Sequence, residues 1–489
     1  MAQEQNNKID NEMMTNNVRS IECGFSKIQI SKPFPFWDLP RKGDIADDTI
    51  NLNSLPNVHP MTVKVERHAN SIASEIQSPD SSNGDPSRFN PIKARNVAIR
   101  VLTSPDAVKE VTSVTFSIDD PRWNCKAGDS FGLCCENDPD AVDSLLDILG
   151  LEGSQYIRVT SLGPIMSDSL LETINGRIIS IRELLLKYTD IMHFPKKSFL
   201  RHLADFCDTE TDCRNLLFLS GKAGSSDYIA LANGHASLID FLHTFSSCKP
   251  SLECLLSHLP LLHPRFYSVC SASDRREKVE FIYSCMDYTL PNGSSRQGVC
   301  SSWLERIKSV LSTTKDFELS IIPRPSQHFR LPEDPTTPMI MICAGTGVSP
   351  FVGFLRTLAL KGYKMDFTWL IYGFRHRSND FLFADELASF EASGLLSKLT
   401  IAVSREPESG HPKYVQDALR KHSEELFKLI REDEKSKIYI CGDELTMIRD
   451  VNSTIQEILQ QHKDLTTKEA QAELNALNAN KRIIRDVWA

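Results

Sequence analysis

Apolar positions alternate with polar ones through the stretches VAIRVLTS (97–104) and VTSVTFSID (111–119), where β-branched side chains dominate. A period of two predicts half-buried strands. SFGLCC (130–135), which follows the turn Ala127-Gly128-Asp129, reads as another strand, and so does IRVTSL (157–162). Between them AVDSLLDILGL (141–151) carries apolar residues at i, i+3, i+4 and i+7, which predicts a helix. From 180 to 262 the period becomes helical throughout, in SIRELLLKYTDI, KKSFLRHLADFC, DCRNLLFLSG, SLIDFLHTF and SLECLLSHLPLL. The β pattern returns at 265–273, 279–290 and 317–325. A β-barrel interrupted by a helical insertion accounts for this order.

From Pro338 onward strands and helices alternate. WLIYGF (369–374), LTIAVSR (399–405) and KIYICGD (437–443) read as strands, and YVQDALRKHSEELFKLIRE (414–432) as one long helix. The alternation predicts a doubly wound parallel sheet whose ligands sit at the carboxyl ends of the strands. Four such ends carry glycine, polar or charged residues: AGTG, GFR, SRE and CGD. The stretch MIMICAGTGVSPFVGFLR (339–356) is the sharpest of them. An apolar strand runs into a glycine turn, and Ser349 and Pro350 supply helix-start chemistry, with Ser349 expected as N-cap. Such a turn can cradle a phosphate with backbone N–H groups and the helix dipole. An ordinary βα turn has the same appearance.

Residues 1–92 are rich in Asn, Ser, Asp and Pro, as in SPDSSNGDPSRFNP (78–91), and are expected to be a disordered or linker region. The cluster Phe34-Pro35-Phe36-Trp37 is either a docking motif or a locally packed segment. Barrel and insertion are then expected over 93–330, with the insertion at about 165–262, and the α/β domain over 331–489. A net charge of -9 argues against a nucleic-acid partner. No apolar run approaches membrane-spanning length, and the polar N-terminus is no signal peptide. The 13 cysteines show no CxxC spacing, so reduced thiols are expected, with no metal site and a cytoplasmic location.

Seven motifs occur in one order: HPRFYS (263–268), RQGVCSSWL (296–304), AGTGVSPFVGF (344–354), YGFRHRSNDFLF (372–383), SREP with KYVQ (404–416), YICGDELTMIRDV (439–451) and RIIRDVWA (482–489). In these the chain resembles the reductase half of the diflavin reductases over 94–489. Within that family FPKKSFLRHLADF (194–206), HTFSSCKPSLECLLSHLPLLHPR (243–265), FRLPEDPTTPMIM (329–341) and PKYVQD (412–417) resemble the methionine synthase reductase branch.

The resemblance implies a ferredoxin–NADP reductase-like fold that binds FAD and NADPH. For FAD it implies Arg265 on the pyrophosphate, where a guanidinium fork suits phosphate oxygens. Tyr267 would pack on the isoalloxazine and Ser268 would bond near its N5. Gly298, Val299, Cys300 and Ser301 would form a second pyrophosphate loop, and Tyr288 would stack on adenine. For NADP it implies Gly345, Thr346 and Gly347 on the phosphates. Ser404, Arg405, Lys413, Tyr414 and Gln416 would hold the 2′-phosphate and its adenine. Lys413 stands in for a basic residue that the family has just ahead of the tyrosine. Ser268, Cys441, Asp486 and Trp488 would form the hydride-transfer centre, with Trp488 stacked on the flavin until nicotinamide enters.

The family's FMN-binding half is a flavodoxin-like domain, which needs about 140 residues of βαβ pattern. The 92 or so residues ahead of the barrel do not show that pattern, so FMN is not expected here. A separate flavodoxin-like protein would take that role, or electrons would leave directly from FAD. The partner the resemblance implies is the cobalamin-dependent methionine synthase. A general NADPH–flavodoxin or cytochrome-type reductase is the second reading, and a non-catalytic methionine synthase-binding chaperone the third.

Overall fold

The structure, a computed structural model, describes residues 34–43, 45, 49–51, 54–58, 60–68, 85–273, 275–312 and 317–488. Contacts divide the chain into Met1–Phe36 and Trp37–Ala489. Of the first part only 34–36 are described, with the rings of Phe34 and Phe36 edge to face at 5.3 Å. The rest of this section concerns the second part.

Its strands, in chain order, are β1 Val63–His68, β2 Ile92–Val101, β3 Val111–Ile118, β4 Ser130–Leu133, β5 Tyr156–Ser161, β6 Ile178–Ser180, β7 Arg265–Ser268 and β8 Val279–Ser284. They continue with β9 Asp287–Thr289, β10 Ser295–Gln297, β11 Leu319–Arg324, β12 Met339–Ala344, β13 Thr368–Phe374, β14 Lys398–Val403, β15 Lys437–Asp443 and β16 Ile483–Trp488. Six form the antiparallel sheet of the barrel domain, in the order β7-β4-β11-β2-β3-β8. Alternation on β2 and the fully apolar inner face of β4 and β8 build its core around Phe116, Phe131 and Phe281.

Five strands form the parallel sheet, in the order β14-β13-β12-β15-β16. All seven residues of β13 are buried, as a central strand covered on both faces requires. Strand order reverses between β12 and β15, which is the topological switch point of a doubly wound sheet. The ends AGTG, GFR, SRE and CGD therefore share one edge of the sheet. One face of it continues into the barrel core: Val111, Cys270 and Ile282 pack in the same cluster as Phe351, Phe354 and Tyr439. The helix Ser349–Lys361 comes so close to the barrel that a Cβ at Gly353 would lie 2.8 Å from the carbonyl oxygen of Val269.

Several expectations change. IRVTSL does not join the barrel; β5 pairs with β1 and β6 in a separate antiparallel sheet. The described part of 37–68 is therefore built in rather than linker. β1 supplies an edge to that sheet, and Trp37 and Leu39 are buried against the insertion, where their N–H groups donate to Asp240 and Thr244. Polar composition concealed these few anchors. Helical spacing across 414–432 gives two helices, Val415–Lys421 and Ser423–Glu432, broken where His422 leaves helical geometry. Ser349 is not an N-cap: the turn Gly345–Val348 winds as 3₁₀ straight into the helix, so Ser349 already lies inside it. The helix Thr467–Ala479, with its Thr466–Glu469 capping box, and the short strand β6 escaped the sequence reading. The twelve described cysteines are all free thiols.

Candidate functional site

The polar centre of the molecule lies where β7, β15 and β16 meet. Cys441 of β15 is in register with Asp486 of β16 and, on its other side, with Cys343 of β12. Ser268, the last residue of β7, donates from Oγ to Asp486 Oδ2 at 2.7 Å. The Cys441 thiol points at the same oxygen from 4.0 Å. Ser349, free of capping duty, donates to the carbonyl of Ser268 at 3.2 Å. Barrel and parallel sheet are thereby joined by the hydrogen bonds that Ser268 makes with both Asp486 and Ser349. Burial raises the Asp486 carboxyl above its usual range; the Ser268 hydroxyl and the nearby Arg324 guanidinium oppose that rise. Burial, with the Asp486 charge beside it, pushes the Cys441 thiol well up, so it is a neutral S–H group. The set can hold a hydroxyl in a fixed direction and adjust charge beside it without water. Trp488 closes β16 opposite Asp443, and its side chain lies outside the described residues.

Along β7 the side chains of Arg265 and Tyr267 precede Ser268. Tyr267 donates to the Cys300 sulfur at 3.3 Å, which brings β7 against the start of the helix Val299–Leu311. That helix begins after Gly298, and no side chain caps it. Its first N–H groups are therefore available to an anion, and its dipole favours one. Arg265 is half-buried and donates to the His263 carbonyl at 2.6 Å. Ser301 turns inward: its hydroxyl donates to Gly298 O at 3.1 Å and accepts from the Met286 N–H at 3.3 Å. An uncapped glycine-led helix start beside a half-buried arginine fits a flavin pyrophosphate. Tyr288 stands apart, on the ribbon β9–β10, with its ring 4.7 Å from that of His235.

At the parallel-sheet edge Gly345 has φ +54°, a left-handed conformation that glycine takes without strain, and a Cβ there would meet nothing within 4 Å. Thr346 is half-buried and Gly347 buried. Ser404 follows β14 and donates from Oγ to Phe374 O at 3.3 Å. The Val403 N–H donates to Pro412 O at 2.8 Å, which draws Lys413 and Tyr414 up beside Ser404 and Arg405. Arg405, Lys413 and Tyr414 are exposed, and the Lys413 ammonium lies 5.1 Å from the Tyr414 ring centre. Gln416, half-buried, is the second residue of the next helix, Val415–Lys421. An open edge with two cations, a hydroxyl and an exposed aromatic fits a phosphorylated nucleoside. The sequence reading missed Arg377 and His411 at this edge; burial, and then the Arg377 charge, lower the His411 pKa. It also missed the ion pair of Arg296 with Asp240, both essentially inaccessible, at 2.7 Å. Its only signal was the capping box Ser237–Asp240.

A parallel sheet with a glycine turn at its switch point, packed on an antiparallel barrel with an anion-ready helix start, defines an FAD- and NAD(P)-binding oxidoreductase. Residues 85–303 match the family described as FAD binding domain, and 341–453 match the oxidoreductase NAD-binding domain. The chain belongs to the diflavin-type reductases, on the FAD- and NADPH-binding side of that family. Methionine synthase reductase of Mus musculus is 35% identical over 468 residues, which is 89% of this chain and 66% of that protein. Methionine synthase reductase of Homo sapiens is 34% identical over 418 residues, 79% of this chain and 60% of that protein. NADPH–cytochrome P450 reductase of Sus scrofa is 30% identical over 417 residues, 82% of this chain and 60% of that protein. The chain thus spans 59% to 66% of the length of the methionine synthase reductases it matches. Among the described residues no helix is long and apolar enough to cross a membrane.

Proposed function

We propose that this chain takes hydride from NADPH onto FAD and passes electrons on for the reductive reactivation of a cobalamin-dependent methionine synthase. The observation that carries the reductase step is the Ser268–Asp486 hydrogen bond with the Cys441 thiol on the same carboxylate oxygen. FAD, when bound, supplies the redox chemistry. Arg265 and the N–H groups after Gly298 hold its pyrophosphate, with Val299, Cys300 and Ser301 shaping the loop. Tyr267 offers a ring face to the flavin and Tyr288 one to its adenine; the assignment of Trp488 to the flavin rests on the motif RIIRDVWA alone. Gly345, Thr346 and Gly347 take the phosphates of NADPH. Ser404, Arg405 and Lys413 pair its 2′-phosphate, and Tyr414 and Gln416 flank its adenine. Asp486 fixes the direction of the Ser268 hydroxyl and, with Cys441, steadies charge as hydride leaves the nicotinamide.

The methionine synthase role rests on similarity to proteins of that name. A flavodoxin-like carrier of FMN is the proposed intermediary, and the proposed location is the cytoplasm. Similarity to NADPH–cytochrome P450 reductase supports a second reading, a reductase for flavodoxin or cytochrome acceptors.

The test begins with the cofactors released from the purified protein, where FAD alone is expected. NADPH is then added anaerobically with each acceptor system in turn. Methionine synthase turnover that requires NADPH, FAD and an FMN carrier supports the first reading. Acceptor reduction with no effect on methionine synthase supports the second. Methionine synthase activation that survives loss of FAD in an Arg265→Ala/Tyr267→Ala variant refutes electron transfer in favour of a chaperone.

A further inference from the structure

We propose that His202, Cys254 and His258 form a zinc site that ties together two helices of the insertion. Cys254 and His258 stand four residues apart on the helix Leu252–His258, so their side chains share one face. His202 comes from the helix Lys197–Leu203. Its Nδ1 lies 2.9 Å from His258 Nε2, and the three ligand atoms all lie within 4.8 Å of one another. Zinc bonds of about 2.0–2.1 Å to nitrogen and about 2.3 Å to sulfur place tetrahedral ligand atoms roughly 3.3–3.8 Å apart. The cluster therefore needs only small side-chain adjustments to enclose an ion.

The surroundings hold the ligands in place. The Phe199 ring stacks on the His258 imidazole at 4.5 Å with an interplanar angle of 12°. Phe206 packs at 5.6 Å on the ring of His202. His202 and Cys254 are buried, and half-buried His258 leaves an entry path. Among the described residues the Cys254 thiol has no hydrogen-bond partner, which a purely structural buried cysteine tolerates and a metal ligand explains. Asp205 adds negative charge toward His202 and Cys254, and Arg201, paired with it at 2.6 Å, partly cancels that charge at His202.

Two imidazoles and one thiolate suit Zn²⁺ rather than Mg²⁺ or Ca²⁺, which prefer oxygen ligands. Binding releases the Cys254 proton to solvent, and a water completes the fourth position. The ion would replace the single His202–His258 hydrogen bond with bonds to three side chains.

The test uses the full chain, stripped with a chelator and titrated with Co²⁺ and then Zn²⁺. One equivalent of Co²⁺ is expected to give tetrahedral visible bands and a thiolate charge-transfer band, both erased by Zn²⁺. Zn²⁺ in hundredfold excess over its Kd is expected to raise Tm by several degrees. Cys254→Ser and His258→Gln should each abolish both signals while far-UV circular dichroism stays unchanged. If Cys254→Ser does not fold, His258→Gln decides by itself. Absence of stoichiometric Co²⁺ bands in the native chain overturns the proposal and leaves a hydrogen-bonded histidine pair. Unchanged bands in either folded variant overturn it as well.

Discussion

Ser268 and Asp486 stand 218 residues apart, yet the Ser268 hydroxyl donates a 2.7 Å hydrogen bond to the Asp486 carboxylate. One residue ends a barrel strand and the other lies on the edge strand of the parallel sheet. The bond exists only when the two domains are docked, so it links their geometry to the chemistry proposed between them. Loss of either partner should slow the chemical step more than it weakens NADPH binding. Ser268→Ala and Asp486→Ala are each expected to cut the rate of FAD reduction by about tenfold or more, where each tenfold is about 1.4 kcal/mol in barrier. Anaerobic stopped-flow reduction at saturating NADPH measures this, and an unchanged rate in both variants would exclude the pair from the centre.

Burial gives Asp486 a pH signature. Its native pKa is raised above the unfolded value. Across that interval the native state keeps a proton that the unfolded chain has lost, so this group's contribution to stability falls as pH rises. Asp486→Asn lacks that loss. Its stability relative to the unsubstituted protein is expected to rise between about pH 4 and about pH 7, the range above an ordinary carboxylate pKa. Urea unfolding at both ends of the range checks the sign, and a difference independent of pH would show that Asp486 ionises as if in water.

The Arg296–Asp240 pair is sealed from solvent, and Asp240 also accepts from the N–H groups of Trp37 and Ser237. Removing one partner strands a charge with no water to solvate it. Arg296→Ala and Asp240→Ala are each expected to cost about 3–5 kcal/mol of stability. The double variant should lose much less than the sum, because neither charge is then left alone. Denaturant unfolding of the three variants would show it; additive losses would contradict the coupling.

At the nucleotide edge Arg405 and Lys413 are exposed cations beside the Ser404 hydroxyl. A charge-assisted bond to a 2′-phosphate contributes about 1.5–3 kcal/mol. Arg405→Ala should therefore lower kcat/KM for NADPH about tenfold to a hundredfold and leave that for NADH nearly unchanged. Lys413→Ala should act in the same direction. Equal losses with both coenzymes would place these side chains elsewhere than on the 2′-phosphate.

Gly353 tests the domain contact by sterics alone. A Cβ there would press on Val269 O, a backbone atom that cannot rotate away. Gly353→Ala is expected to destabilise by about 1–3 kcal/mol despite alanine's better helix propensity. A Tm equal to or above that of the unsubstituted protein would mean that the domains separate easily.

The sequence by itself determined the two architectures and their order, because period and burial are local properties. Four strand ends with turn or charged residues were legible for the same reason, since a strand's carboxyl end follows from its apolar run. The motifs carried Arg265, Ser268, Cys441 and Asp486, but nothing in their spacing says that Ser268 and Asp486 touch. That contact depends on domain docking over hundreds of residues, and so does the release of Ser349 from capping to hold the Ser268 carbonyl. β1 and buried Trp37 were hidden in polar composition, since a strand edge and one indole need partners that lie far along the chain. His202 and His258 lie 56 residues apart on two helices of ordinary pattern, and only helix packing brings their rings together. Local chemistry is written in neighbouring residues, whereas convergence is decided by long-range packing, which no window of sequence contains.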